Sequence, residues 1–384
     1  MSKKVGIITI VKVNNYGAEL QAFATQKALQ QMGYDAEIID YLFYKNPRHK
    51  ATRKSKPFFD LPFKKRLAEW LYPKITYVRR KLQRNEDDEI RRLRFEHFHL
   101  ENTRFSKEYR TIESLYAEKM DYDAYIVGSD QVWNPNNYTS LDPYFLKFAP
   151  KDKVRLSYAS SIGLSSLPED TKAYYRDAFN GLDAISVREE NATKIVEEVS
   201  GKQAKWVLDP TLLLNKTEWL QFATKVEGMP EHYVLIYEIT PCAYVKKLAR
   251  YIAEETGCKV VRINREAVRE ESDDEVVNVM YAGPAEFLWL FAHASAVVTN
   301  SFHGTAFSLN MNKYFYVVTP ARKQNNSRQK SLLKLVDLED RLLVEDSPMP
   351  ALEKFHVDYH RVNILLDAER EKSKNFLKTA IDGK

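Results

Sequence analysis

In VVTNSFHGTAFSL, residues 297–309, a β-branched run leads into Thr299, Asn300 and Ser301, and His303 then stands beside Gly304. That order suits a strand ending near residue 299 and a helix beginning near Gly304. Backbone N–H groups around Gly304 and Thr305 would then be open. Open N–H groups at a helix start bind anions, and the glycine would let a phosphate come close. An imidazole beside such an anion can give or take a proton near neutrality. The plainer reading is a strand, a turn and a helix whose histidine happens to fall in the turn. Spacing alone leaves both open.

Other loops carry residues of the same kind. Arg188, in SVREENA, follows an apolar run and precedes a helical pattern, where a guanidinium can grip a phosphate or carboxylate with two hydrogen bonds. An ion pair with Glu189 or Glu190 is the alternative. KQNNSRQKSLL (323–333) offers Asn326, Ser327 and Arg328 as a helix-starting polar cluster for an anion, or as a plain N-cap. Asp130, in GSDQVWN, can act as a base, orient a sugar hydroxyl or simply close a turn. Asn14, Asn15 and Tyr16 before Gly17 suit a hydroxyl-rich ligand, although asparagine in loops is commonly turn chemistry. Gln131 and Trp133 join them as candidates to hold a sugar.

These residues need elements that bring loops together. The first forty residues read as strand (VGIITIV), loop, helix (LQAFATQKALQQMG) and strand (AEIIDY), with Gly33 as C-cap. The loop has one glycine, so it is no dinucleotide fingerprint. After a basic region at 45–118, read as helical with RRLRFEHFHLE clearest, DAYIVGSDQVWN, VRLSYASSIG, DAISVREENATKIVEE and KWVLDPTLLL each run a strand into a polar loop. A helix and linker at 215–232 precede a second series: HYVLIYEIT, CKVVRIN, ASAVVTNS and YFYVVTP, alternating with helices. The pattern predicts an α/β protein of two Rossmann-like domains, 1–214 and 215–384. The final helix, roughly 361–382, is a candidate to pack back on the first domain. Ligands of open α/β sheets bind at the carboxyl ends of strands, which singles out loops 14–17, 128–134, 159–163, 187–189, 209–211 and 300–305.

Composition narrows the class. At 384 residues, with 44% hydrophobic and 29% charged residues, the chain reads as a soluble globular protein of two cores. Two cysteines, Cys242 and Cys258, with no C-x-x-C pair, argue for a reducing cytoplasm and against a disulfide framework or a cysteine-built zinc site. MSKKVGIITIV breaks at Lys12 without a cleavage site, so it reads as a first strand and not a signal peptide. The longest apolar stretch, AGPAEFLWLFAHASAVV, holds Glu286 and His293 and falls short of the ~20 residues that span a bilayer. Net charge is +5, but residues 45–84 hold fourteen Lys/Arg against Asp60 and Glu69, interleaved with aromatics. Such a segment suits the surface of an anionic membrane, with nucleic acid and a solvated helical insertion as the other readings. No Walker loop, H-E-x-x-H or G-x-S-x-G is present, and the site reads as metal-independent.

In this order and spacing, NNYGAELQAFATQKALQQMGYDAEIIDY, GSDQVWNP, SYASSIG, SVREENA, VLDPTLLL and VVTNSFHGTAFSL resemble the polysaccharide pyruvyl transferase family across nearly the whole chain, with 45–118 the least typical part. The resemblance implies a GT-B-like fold with the site in a cleft between the domains. It also implies transfer of pyruvate from phosphoenolpyruvate onto a pair of sugar hydroxyls as a ketal, in bacterial surface polysaccharide assembly and without a cofactor. His303 falls on the family's histidine and Arg188 on its strand-end arginine. Many relatives place an arginine two residues before the histidine. Ser301 stands there instead, so the donor's charge has to be met elsewhere.

Catalysis is thus expected from His303 and Asp130. Phosphoenolpyruvate is expected on Arg188, Ser301, Gly304, Thr305, Ser327 and Arg328 in the second domain and its neighbour. The acceptor is expected on Asn14, Asn15, Tyr16, Gly17, Gln131 and Trp133. A lipid-linked or oligosaccharide acceptor at the inner face of the plasma membrane would give 45–84 a purpose, and nucleic acid is not expected as a partner. A nucleotide-sugar glycosyltransferase and a non-catalytic saccharide-binding assembly protein are the rival functions.

Overall fold

The computed structural model describes residues 2–46, 48–50, 63, 67, 71, 86–137, 139–264, 275–321, 326–352 and 356–383. Most of the basic segment 45–84 lies outside them, and with it the expected membrane contact. The chain divides into two compact units, Met1–Arg84 with Asn102–Leu213 and Glu371–Lys384, and Asn85–Glu101 with Leu214–Arg370. Both are parallel α/β units of the Rossmann-like kind that the sequence predicts.

In the first unit, β1 (Lys4–Ile8), β2 (Asp35–Ile38), β3 (Ala124–Val127) and β4 (Val154–Ser157) form a parallel sheet in the order β2-β1-β3-β4. Isolated bridges from Leu156 to Ala184 and from Ser160 to Val187 bring β5 (Ser186–Val187) alongside β4, and β5 pairs with β6 (Lys205–Trp206). Central strands such as AYIV are buried along their whole length, as parallel strands covered on both faces must be. Ile7, Ile38, Ile126 and Leu156 pack with Leu377 and Ile381 of the final helix, while Trp133, Tyr144, Phe145 and Phe179 belong to a second apolar cluster. The helix Tyr16–Gln31 starts where Asn15 accepts hydrogen bonds from Gly17 and Ala18, and Gly33, at φ +91°, follows its end. KWVLDPTLLL gives only the two-residue β6, because Pro210 opens a 3₁₀ turn that Asp209 caps.

The second unit carries β7 (Tyr233–Tyr237), β8 (Lys259–Ile263), β9 (Val276–Val279), β10 (Ala296–Thr299), β11 (Tyr314–Thr319) and β12 (Leu342–Val344) in the order β12-β11-β10-β7-β8-β9. Counted from β7 this is the 3-2-1-4-5-6 order of dinucleotide-binding sheets. The edge strands β9 and β12 were not evident from the sequence. Both are short and largely half-buried or exposed, so neither shows a buried run. The helix Glu86–Asn102, read from the sequence as part of the first domain, groups with this unit up to Glu101. Its Arg94 sits 3.2 Å from Glu286 and over the ring of Tyr281, and Arg91 donates to the Asn264 carbonyl. The final helix, Tyr359–Asp382, belongs to this unit as far as Arg370 and to the first from Glu371, where the Ser373 hydroxyl accepts from Leu208 N–H. Among the described residues no helix is long and apolar enough to cross a membrane.

Candidate active site

His303 lies in the first turn of the helix Phe302–Asn310, which leaves the carboxyl end of β10. β10 pairs with β7 on one side and β11 on the other. The connections leave in opposite directions from β7 and β10, so His303 stands at the topological switch point, where ligands of such sheets bind. It is 9% exposed, its ring edge-on to Phe302 at 5.3 Å. Asn300 ties this loop to the one after β7, accepting from Ile239 N–H and donating to the Thr240 carbonyl, each at 2.7 Å.

The helix begins two residues earlier than the sequence suggested, and this changes the anion argument. Ser301 is the N-cap: its hydroxyl accepts from Gly304 N–H at 3.2 Å, and its carbonyl accepts from Thr305 N–H at 3.0 Å. The N–H groups of Gly304 and Thr305, expected to be open, are therefore paired within the turn. The glycine also has another reason to be there. A Cβ at Gly304 would lie 2.1 Å from Thr299 Oγ1 and 2.9 Å from Thr299 Cβ, so helix and strand meet too closely for any side chain. Asn326, Ser327 and Arg328 start the helix Ser327–Leu335, after β11, the strand beside β10; Asn326 makes no side-chain cap bond.

In the first unit the switch point falls between β1 and β3. Four non-glycine residues on the carboxyl side of its strands, Lys12, Asn14, Asp130 and Ala159, hold left-handed φ of 51–69°. Such strained positions collect at functional sites. Thr9 donates to the Ser129 carbonyl across the switch point and accepts from Gln21, and Glu19 receives Lys12 N–H and Val13 N–H. Asn14 is exposed, whereas Asn15 is engaged as a cap and Tyr16 is 1% exposed. Asp130 Oδ1 accepts from Gln131 N–H, and the Gln131 carbonyl oxygen of its side chain accepts from Asn134.

Arg188 also lies on this edge, but as part of a buried ion pair. Its guanidinium is 2.8 Å from Asp209 Oδ2 and 3.9 Å from Asp130 Oδ1, with side-chain exposure of 1%. Asp209 is further held by the hydroxyls of Ser129 and Thr211 and by Thr211 N–H. Glu189, the alternative partner, turns instead to Ser161, Ile162 and Gly163, whose hydroxyl and two N–H groups it accepts. Burial works to lower the Arg188 pKa, but Asp209, Asp130 and Glu189 outweigh it and hold the group above its ordinary value. With three carboxylates around one guanidinium, this edge disfavours an anionic ligand and favours neutral hydroxyls. The expected grip of Arg188 on phosphoenolpyruvate is thus replaced by Asp209. Trp133 is also corrected: it is fully buried, its indole N–H donates to the Tyr144 carbonyl, and its ring stacks on Phe145 at 5.1 Å, leaving no face for a sugar.

Sequence reasoning gave no role to Thr299, Glu19 and Gln21. The signal available was polar residues inside otherwise apolar runs, since all three are 0–1% exposed. Among the described residues no group of three His, Cys, Asp or Glu side chains is placed to hold a metal ion.

Fold and site together define a protein of two parallel α/β units with a buried histidine at the carboxyl edge of one sheet. The chain belongs to the polysaccharide pyruvyl transferase family, whose model matches residues 15–322. No curated protein matches it. Among solved structures it is similar to the UDP-N-acetylglucosamine 2-epimerase of Rickettsia bellii (9% identity, 100% of this chain and 98% of that one, TM-score 0.49). It is also similar to UDP-GlcNAc 2-epimerase of Methanocaldococcus jannaschii (12%, 96% and 94%, TM-score 0.46) and to E. coli ADP-heptose lps heptosyltransferase II (10%, 96% and 99%, TM-score 0.39).

Proposed function

We propose that this chain transfers pyruvate from phosphoenolpyruvate onto two hydroxyls of a sugar, forming a cyclic ketal. Family membership supports the reaction class, and the observation that carries the chemistry is His303 at the switch point of the second sheet, buried in the first turn of its helix and held on both sides of that turn. Protonation of the donor's methylene carbon makes the central carbon electrophilic. One sugar hydroxyl attacks, phosphate leaves, and the second hydroxyl closes the ring. Of the two hydroxyl protons, one replaces the proton given to the methylene and the other leaves with phosphate, so an imidazole that gives one and takes one ends the cycle unchanged.

The second unit is assigned the donor. Ser327 and Arg328 at the start of a nine-residue helix are proposed for its anionic groups, where the helix dipole adds to the arginine charge. The carboxylate-rich edge of the first unit, with Asn14, Gln131 and Asp130, is assigned the acceptor. Asp130 is proposed to orient a hydroxyl or take its proton.

Thermal unfolding with candidate donors discriminates this reading from a nucleotide-sugar transferase. Phosphoenolpyruvate at about 100 times its Kd should add about 2.7 kcal/mol, a rise of a few degrees, while nucleoside diphosphate sugars should leave the transition in place. Stabilisation by the sugar nucleotides alone would reverse the assignment.

A further inference from the structure

Thr299 is the last residue of β10 and is fully buried. It pairs in register with Tyr237, the last residue of β7, and its hydroxyl donates to the Tyr237 carbonyl at 2.5 Å. The same oxygen accepts from Ser301 N–H at 3.0 Å. Beyond Ser301, the backbone of Gly304 rests against the Thr299 side chain so closely that a Cβ there would overlap Oγ1. One hydroxyl therefore touches the neighbouring strand, the residue before the helical turn and the turn itself. His303 is the residue enclosed by those anchors.

We propose that Thr299 is a positioning residue for His303, its hydroxyl fixing the angle at which the first helical turn leaves the sheet. The inference rests on the proton-transfer role proposed for His303. The hydroxyl has no route to substrate of its own, being buried beneath the turn, so any effect on turnover must pass through the histidine. Proton transfer depends steeply on placement: a displacement of about 1 Å can cost about 10²-fold in rate. A purely structural threonine predicts something different. Its loss would lower stability and leave turnover per folded molecule as it was.

Serine and alanine at this position differ only by the hydroxyl, which makes them the comparison of choice. Phosphoenolpyruvate-dependent phosphate release onto a sugar acceptor, normalised to folded protein, is measured for wild type, Thr299→Ala, Thr299→Ser, His303→Ala and the double variant Thr299→Ala/His303→Ala. Thr299→Ala should lose about 10²-fold in kcat with KM for phosphoenolpyruvate little changed, and Thr299→Ser should restore kcat to near wild type. In the His303→Ala background, Thr299→Ala should add no further loss, because the two residues act as one unit. If Thr299→Ala does not fold, Thr299→Val carries the same comparison against serine. An inactive His303→Ala beside a Thr299→Ala with wild-type kcat overturns this inference alone, as does an equal loss from Thr299→Ala in both backgrounds. A fully active His303→Ala overturns the role proposed for the histidine and this inference with it.

Discussion

Replacement of His303 by alanine should leave the fold in place and remove about 10²–10⁴ of turnover, the range a positioned acid–base group supplies. The fold should survive because the helix start does not depend on the imidazole. Ser301 still caps Gly304, Thr305 still bonds to the Ser301 carbonyl, and Asn300 still holds the loop after β7. Proton transfer is made only in the transition state, so kcat and kcat/KM should fall together while KM for phosphoenolpyruvate barely moves. Steady-state kinetics with circular dichroism as the fold control measure both. Turnover within a few-fold of wild type would remove His303 from the chemistry.

The second large effect is on stability. Asp209→Ala strands the Arg188 guanidinium, 1% exposed, beside Asp130 at 3.9 Å and without its 2.8 Å partner. Breaking a buried pair from one side costs about 3–5 kcal/mol. Two hydroxyls and an N–H that now point at Asp209 would also lose their acceptor. Removing both charges is a different matter, since apolar residues of similar volume often replace a buried pair without loss. Asp209→Leu with Arg188→Met should therefore recover much of the stability that Asp209→Ala forfeits, as read from denaturant midpoints. A double variant no more stable than Asp209→Ala would mean that the pair is not the source of the effect. A stable double variant that also transfers pyruvate would show that Arg188 serves the scaffold and not the donor.

Much of the scaffold was legible because parallel strands buried on both faces write themselves as continuous apolar runs: VGII, AYIV, YVLIY and AVVT all lie in strands within the runs the pattern marks, although the first strand stops at Ile8, short of the expected VGIITIV. The edge strands β9 and β12 were not, because half-exposed strands of three or four residues leave no such run. Site residues divided in the same way. His303 could be placed at a strand's carboxyl end from its neighbours alone. The helix start could not be placed to the residue, and a shift of two positions moved Gly304 and Thr305 from open donors to paired ones. Arg188 carried a charge that sequence could see and a partner it could not, since Asp209 is twenty-one residues away and meets it only through the pairing of β5 with β6. Trp133 read as a platform for a sugar and proved to be core, as large aromatics after a strand often are.

The most direct measurement is incubation of the purified chain with phosphoenolpyruvate and a panel of glycosides, following product mass and inorganic phosphate together. The expected result is a glycoside heavier by one pyruvate ketal, with one phosphate released for each ketal formed and neither signal above background for His303→Ala. Glycosides left unmodified across the panel while the protein binds them, or transfer of a sugar from a nucleotide in place of pyruvate, would contradict it.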